Sequence, residues 1–160
     1  MTDLYSWLER TALGEAVRTT PWVYSSLESV HLIGIALLVG PAIAFDLRLL
    51  GVGRHRLAVT TAARHLLPLA RFGFGLAAVS GAAMFVSGAS AVAASAAAPW
   101  KLGLLVLAGA NVAAFHGGVY RTVSRWDVDA PPPGRARLAG AVSASSWMAV
   151  IVAGRLLAYT

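Results

Sequence analysis

The sequence predicts an all-α integral membrane protein: a four-helix bundle preceded by a short amphipathic helix lying in the interface. Three observations carry this. The 160 residues are 58% hydrophobic and only 12% charged, against about 45–50% and about 25% for an ordinary soluble domain. The charged skin that a soluble globule needs is missing. The apolar residues also fall into four runs, each able to supply the roughly 20 residues of a bilayer crossing. Backbone groups in lipid must be satisfied internally, so these runs are helices. Finally, the basic residues sit between the runs rather than within them.

The elements follow in order. Residues 1–20 mix Asp3, Glu9, Arg10, Glu15 and Arg18 with Leu4, Tyr5, Trp7, Leu8, Leu13 and Val17. Leu4, Trp7 and Leu8 have the spacing of one helical face, as in a helix lying on a membrane. The acidic start lacks the basic region of a signal peptide. Residues 21–160 form the four-span domain. The first span covers about 22–50, with Pro21 in the first turn and a kink expected at Gly40-Pro41. The second covers about 66–91, the third about 100–123 and the fourth about 138–159. Between the second and third, the Ala/Ser-rich stretch 91–98 either extends the helix or forms a re-entrant turn. Between the third and fourth, Pro131, Pro132 and Pro133 enforce a loop.

Net charge is +6, but its arrangement excludes a nucleic-acid interface. Nine of the thirteen Lys and Arg residues flank the first and third connections: Arg48, Arg54, Arg56, Arg64, Arg71, Arg121, Arg125, Arg135 and Arg137. The second connection, Ser87 to Pro99, is uncharged. The positive-inside rule places the arginine-rich end in the cytoplasm and both termini outside, the topology of a bacterial inner-membrane protein. Trp7, Trp22, Tyr24, Trp100 and Tyr159 then form an outer aromatic belt, and Tyr120 and Trp126 an inner one. With no cysteine, thiolate-held clusters and cysteine-ligated zinc are excluded. Two stripes of small residues, Gly73/Ala77/Gly81 and Gly109/Ala113/Gly117, recur at i, i+4, i+8 and suit close helix packing.

Ionisable residues inside a span are costly and mark candidate sites. Counted at about 1.5 Å per residue, Glu28, His31, Lys101 and Arg155 lie in the outer half. Asp46, Arg48, His65, Arg71 and His116 lie toward the inner end, and Asn111 is near mid-depth. Imidazole ligates haem iron, and bundles place ligands on facing helices. His65 and His116 are therefore the candidate axial ligands of a b-type haem, with Arg48 and Arg71 placed to pair its propionates. His31 is a weaker metal ligand here, since it lies about 10–15 Å from the depth of His116. The alternative is structural: each polar side chain hydrogen-bonds a neighbouring helix, His55 is solvated between Arg54 and Arg56, and Glu28 pairs with Arg155. Glu28-x-x-His31 is half of a carboxylate di-metal motif whose other half is absent. Copper lacks a Met–His cluster. No phosphate-binding glycine loop, nucleophile elbow or zincin motif occurs, and no catalytic residue is assigned.

Ser26-Leu-Glu-Ser-Val-His-Leu-Ile-Gly34, with Asp46-Leu-Arg-Leu-Leu-Gly51, resembles the first helix of an uncharacterised family of small bacterial four-span integral membrane proteins. Lys101-Leu-Gly-Leu-Leu through Asn111 to His116 is similar to that family's third helix, and Val150 to Tyr159 to its end. The resemblance implies no activity. It points to Glu28, His31, Asp46, Arg48, Lys101, Asn111, His116 and Arg155 as positions of interest. More distantly, the layout is similar to four-helix b-type cytochromes and copper-resistance membrane proteins, although the paired histidines of those families are incomplete.

Three functions stay open. One is an electron-transfer module, holding b-type haem and exchanging electrons with a quinone or a larger complex. It requires two histidines facing each other at one depth. Another is a non-catalytic accessory subunit of a respiratory or photosynthetic membrane complex, which requires a small-residue stripe facing outward. The last is a small transporter or proton carrier, which requires a wet path from Glu28–His31 to Asp46–His116.

Overall fold

The computed structural model describes residues 2–157, and the fold is all-helical. Two short helices, α1 (Thr2–Glu9) and α2 (Ala12–Thr19), precede four long ones. These are α3 (Val23–Leu49), α4 (Val59–Ser87), α6 (Ala97–Gly117) and α7 (Gly134–Leu156). A six-residue helix, α5 (Ala89–Ala94), lies between α4 and α6, and a 3₁₀ segment, Val119–Arg125, follows α6. The four long helices are each long and apolar enough to cross a membrane. The protein is a multi-pass membrane protein, a four-helix bundle whose apolar flanks contact lipid.

The N-terminal segment is two helices rather than one. Thr11 breaks it: its Oγ1 accepts from Gly14 N at 3.2 Å and caps α2. Gly14 is needed at this corner, because a Cβ there would meet Leu8 O and Glu9 O at 2.8 Å. α1 rests on α5 and the nearby part of α4, while α2 packs on α4 and α3.

α3 runs unbroken through Pro41. It ends in a Schellman motif: Val52 N donates to Leu47 O and Gly51 N to Arg48 O, with Gly51 at φ 104 in the left-handed conformation such a motif requires. α4 begins at Val59, seven residues before the expected position. The α-helical part of α6 ends at Gly117, six residues before the expected end. Gly118 breaks it, and the chain tightens into the 3₁₀ segment. α7 starts directly after Pro133, four residues early, since the last proline takes the N-cap position and needs no further spacer.

Packing order is α4–α3–α7–α6. α3 and α4 form the tightest seam, α3 meets α7, and α7 meets α6; α4 and α6 share no comparable seam. The α3–α4 contact is close because Gly34 and Gly73 bring backbone to backbone: a Cβ on Gly34 would lie 2.7 Å from Ala77 N. A second close approach joins α7 to α3, where a Cβ on Gly140 would meet Asp46 O at 3.0 Å. Two apolar clusters fill the bundle. At the arginine-rich end, Phe45, Leu49, Val59, Ala62, Phe115 and Trp126 pack together. At mid-depth lie Leu38, Ala70, Ala108 and Trp147.

The aromatic belts are partly as expected. Trp22 and Trp100 are 82% and 74% exposed at the end that carries the termini, with Trp7 and Tyr24 also exposed. Tyr159 lies outside the described residues. Trp126 departs from expectation: it is buried in the core of the arginine-rich end. Its Nε1 donates to Thr122 Oγ1, so the ring is sequestered by the 3₁₀ turn rather than offered to the interface.

Candidate functional site

The polar residues of the spans separate into two levels. At the outer level, α3 carries His31 into a notch on α4. Gly81 makes the notch, since a Cβ there would lie 2.9 Å from the imidazole Cε1. His31 Nδ1 sits 2.9 Å from Ala77 O and 3.1 Å from Ser80 Oγ. A carbonyl only accepts, so Nδ1 carries the proton and donates. Ser80 in turn donates to Leu76 O at 2.7 Å. His31 Nε2 is left as the ring's free acceptor. Lys101, from the first turns of α6, reaches over Gly154 of α7 with Nζ 3.5 Å from the position of a Cβ there. Glu28 is exposed one turn from His31 on α3 and makes no ion pair among the described residues. Arg155 is exposed near the end of α7.

At the inner level, Asp46 of α3 is buried beside Ser143 of α7. Its Oδ2 has no partner. Arg48, two residues on, is 2% exposed. Its Nε donates to Leu57 O, and one Nη donates to Asp127 O at 2.8 Å. The other Nη is buried without a partner. Arg48 thus binds two loops together and does not project into the bundle. Asp127 completes the knot. Its two carboxylate oxygens accept from Thr60 N and Thr60 Oγ1, both at 2.8 Å, and its carbonyl accepts from Val59 N at 2.9 Å. The first turn of α4 has no side-chain cap of its own, so Asp127, 67 residues away, caps it from another loop. This explains why α4 starts before its apolar run does.

The histidines expected to act together are placed separately. His65 is exposed on α4, with Nδ1 2.9 Å from Thr61 O on its own helix. His116 is half-buried on α6, with Nδ1 2.9 Å from Val112 O. Phe115 and Tyr120 flank its ring, with ring centres 5.2 Å away in both cases. Its Nε2 is enclosed and unpartnered. The two helices share no close seam, and each ring is tied back to its own backbone. His116 supplies one buried ring nitrogen, and His65 does not oppose it. Arg71 is exposed on α4. Among the described residues, no three His, Asp or Glu side chains come together in a group that could hold a metal ion.

Two remaining positions have clear structural roles. Asn111 Nδ2 donates to Ala139 O at 2.9 Å, joining α6 to α7. His55 is exposed but engaged: Arg54 Nε donates to its Nε2, so its Nδ1 donates to Asp129 Oδ1 at 3.0 Å. Between the outer and inner levels, the Leu38–Ala70–Ala108–Trp147 cluster forms an apolar layer.

Asp127, Thr60, Ser80 and Ser143 are the site residues that sequence reasoning missed. Ser80 could have been found, since it lies beside the Gly73/Ala77/Gly81 stripe. Asp127 could not, because capping signatures look only at residues next to the helix start. Compared with protein-family models, curated proteins and solved structures, the chain shows no match.

Proposed function

We propose that this protein is a non-catalytic accessory subunit of a larger membrane complex of the electron-transfer type, residing in the bacterial inner membrane with its arginine-rich end in the cytoplasm and both termini outside. The observation that supports it is the outward face of α6. Only 11% of the most apolar window of this helix is buried, the least of the four. Gly109, Ala113 and Gly117 all lie exposed along it, and nothing lies within 4 Å of a Cβ at Gly109 or Gly117. The other stripe is consumed inside the chain against α3. A smooth, open helix face is what close packing with a further transmembrane helix needs.

The reading is tested with a photo-crosslinking residue at Ala113 in the native membrane, with Phe72 on the far side of α4 as reference. A discrete adduct with a redox-cofactor-carrying subunit at Ala113, lost in Gly109→Leu, is expected. Adducts with lipid alone would refute it. Single cysteines introduced at Arg54 and Thr2 test the orientation by labelling from each side.

A second reading has one observation of its own. The buried, unpartnered Nε2 of His116, with Nδ1 fixed by Val112 O, has the donor chemistry of an axial ligand to b-type haem in a module that exchanges electrons with quinone. The set is incomplete, since His65 faces outward, and haem when bound would supply one-electron chemistry. Reduced-minus-oxidised spectra of protein purified from its native membrane decide it. Low-spin haem bands lost in His116→Ala and kept in His55→Ala would support the reading, and a featureless spectrum would remove it.

A further inference from the structure

The arginine-rich end carries eight exposed arginines: Arg54, Arg56, Arg64, Arg71, Arg121, Arg125, Arg135 and Arg137. The carboxylates of that end are already committed. Asp46 is buried on Ser143, Asp127 caps α4 through Thr60, and Asp129 accepts from His55. Among the described residues, none of the eight arginines forms an ion pair. These guanidinium groups are therefore open to an anion from outside the chain.

Depth identifies that anion. α4 has 29 residues, about 43 Å at helical rise, against a hydrocarbon core of about 30 Å. From Phe72 to Trp100 the chain is free of charge. Counting the roughly 20 residues of a crossing back from Ser87 reaches Pro68. Arg64 then lies one turn outside the hydrocarbon boundary and Arg71 about 4–5 Å within it. Their spacing of seven residues puts both on one face of α4. Cα–Cβ bonds tilt toward a helix N-terminus, here the arginine-rich end, so the Arg71 side chain leans back toward the headgroups. Its exposed neighbours on the same face are apolar: Pro68, Phe74 and Gly75, three or four residues away along α4. A soluble acidic partner cannot reach an arginine set among lipid-facing side chains at this depth. A phosphate on a lipid headgroup can.

We propose that Arg64 and Arg71 on α4 form a binding site for the phosphate headgroup of an anionic phospholipid. Guanidinium pairs phosphate oxygens bidentately, and attraction to an anionic headgroup is worth about a fivefold preference for each basic residue at the surface.

The test is native mass spectrometry of the full chain in detergent, titrated with phosphatidylglycerol or with phosphatidylcholine of the same acyl chains. Phosphatidylglycerol should be retained preferentially. The preference should fall about fivefold in Arg64→Gln and again in Arg64→Gln/Arg71→Gln, and survive in Arg10→Gln at the opposite end. Arg71→Lys keeps the charge and retains most of the preference, and circular dichroism confirms that each variant is folded. Equal retention of the two lipids, or a preference unchanged in the double variant, would overturn the site. Displacement of the lipid by inorganic phosphate or by a polyglutamate peptide at comparable concentration would overturn the lipid as its ligand.

Discussion

Replacing Gly73 by alanine should open the tightest seam of the bundle. A Cβ at this position would press on the backbone of α3: on Leu38 N, on Leu37 C at 2.6 Å and on Gly34 O at 2.8 Å. Carbon atoms rest at about 3.5 Å. α3 and α4 must therefore separate by nearly 1 Å at this level, because the atoms struck are backbone and cannot swing aside. A gap of about 0.5–1 Å forfeits a quarter to a half of each contact's attraction. Overpacking of this kind costs about 1–3 kcal/mol, and a rigid backbone neighbour places Gly73→Ala at the upper end. Ala is the better helix former by about 1 kcal/mol, which the clash must exceed.

Gly75 supplies the control. It lies on the same helix, two residues on, with nothing within 4 Å of its Cβ. Gly75→Ala should be neutral or stabilising by up to about 1 kcal/mol. The assay is reversible unfolding in mixed micelles, titrating a denaturing against a mild detergent and following helical circular dichroism. Gly73→Ala should unfold earlier than the parent and Gly75→Ala no earlier. If Gly73→Ala matched the parent, or both variants were destabilised alike, the close backbone approach of α3 and α4 would be refuted.

Two further predictions use the same unfolding assay, and a third is read by fluorescence. Asp127→Ala removes both acceptors of the α4 cap and should cost about 1–2 kcal/mol; Asp127→Asn, which keeps one oxygen, should cost less, and an equal loss for both would speak against capping. Trp22 holds φ at 68 outside a helix start with no side-chain cap. Trp22→Asn should stabilise by up to about 1 kcal/mol, since asparagine tolerates the left-handed region that costs a bulky residue about that much; destabilisation would contradict it. Glu9 Oε1 accepts from Ser90 N at 2.7 Å, and that hydrogen bond holds the exposed carboxyl below its ordinary value of 4.5. A group with a lowered folded value stabilises above its unfolded value and ceases to do so as pH falls through the folded one. The α1–α5 contact should therefore loosen only in acid, read as a change in Trp7 fluorescence that Glu9→Gln abolishes; a change near neutrality would exclude Glu9 as its cause.

Fold class and span number were legible because hydrocarbon imposes a length and an apolarity that no other constraint imitates. The residues that misled were those whose setting is decided at a distance. α4 begins in a polar, arginine-rich stretch that reads as loop until Asp127 is known to cap it. Trp126 looks like an interfacial aromatic and is buried by the 3₁₀ turn that Gly118 starts. For the histidines, counting residues gives depth along a helix but not which way its face turns. His65 and His116 share an end of the bundle, yet the order α4–α3–α7–α6 puts their helices on seams that do not touch.

The polar residues that do find partners within the bundle follow a rule. His31 donates from α3 to Ala77 of α4. Asn111 donates from α6 to Ala139 of α7. At the α3–α7 seam the buried Asp46 lies beside Ser143. Each closely packed seam thus carries one polar pairing, and the open α4–α6 side carries none among the described residues. Lipid provides no hydrophobic drive to bring helices together, and an interhelical hydrogen bond in a membrane averages only about 0.6 kcal/mol. Links of that size cannot hold the bundle closed against tight packing elsewhere in the same chain. What each can do is fix the register of its pair, because a donor in hydrocarbon has few acceptors and a slip of one turn leaves it unsatisfied. The Gly34–Gly73 and Gly140–Asp46 approaches then supply the close contact at the register so chosen. Several ionisable groups of the spans fall outside this scheme, among them Glu28, Arg71, Lys101 and the free edge of His116. None of these links two helices by a hydrogen bond among the described residues, which is why they, rather than His31 or Asn111, are where a function beyond packing is to be sought.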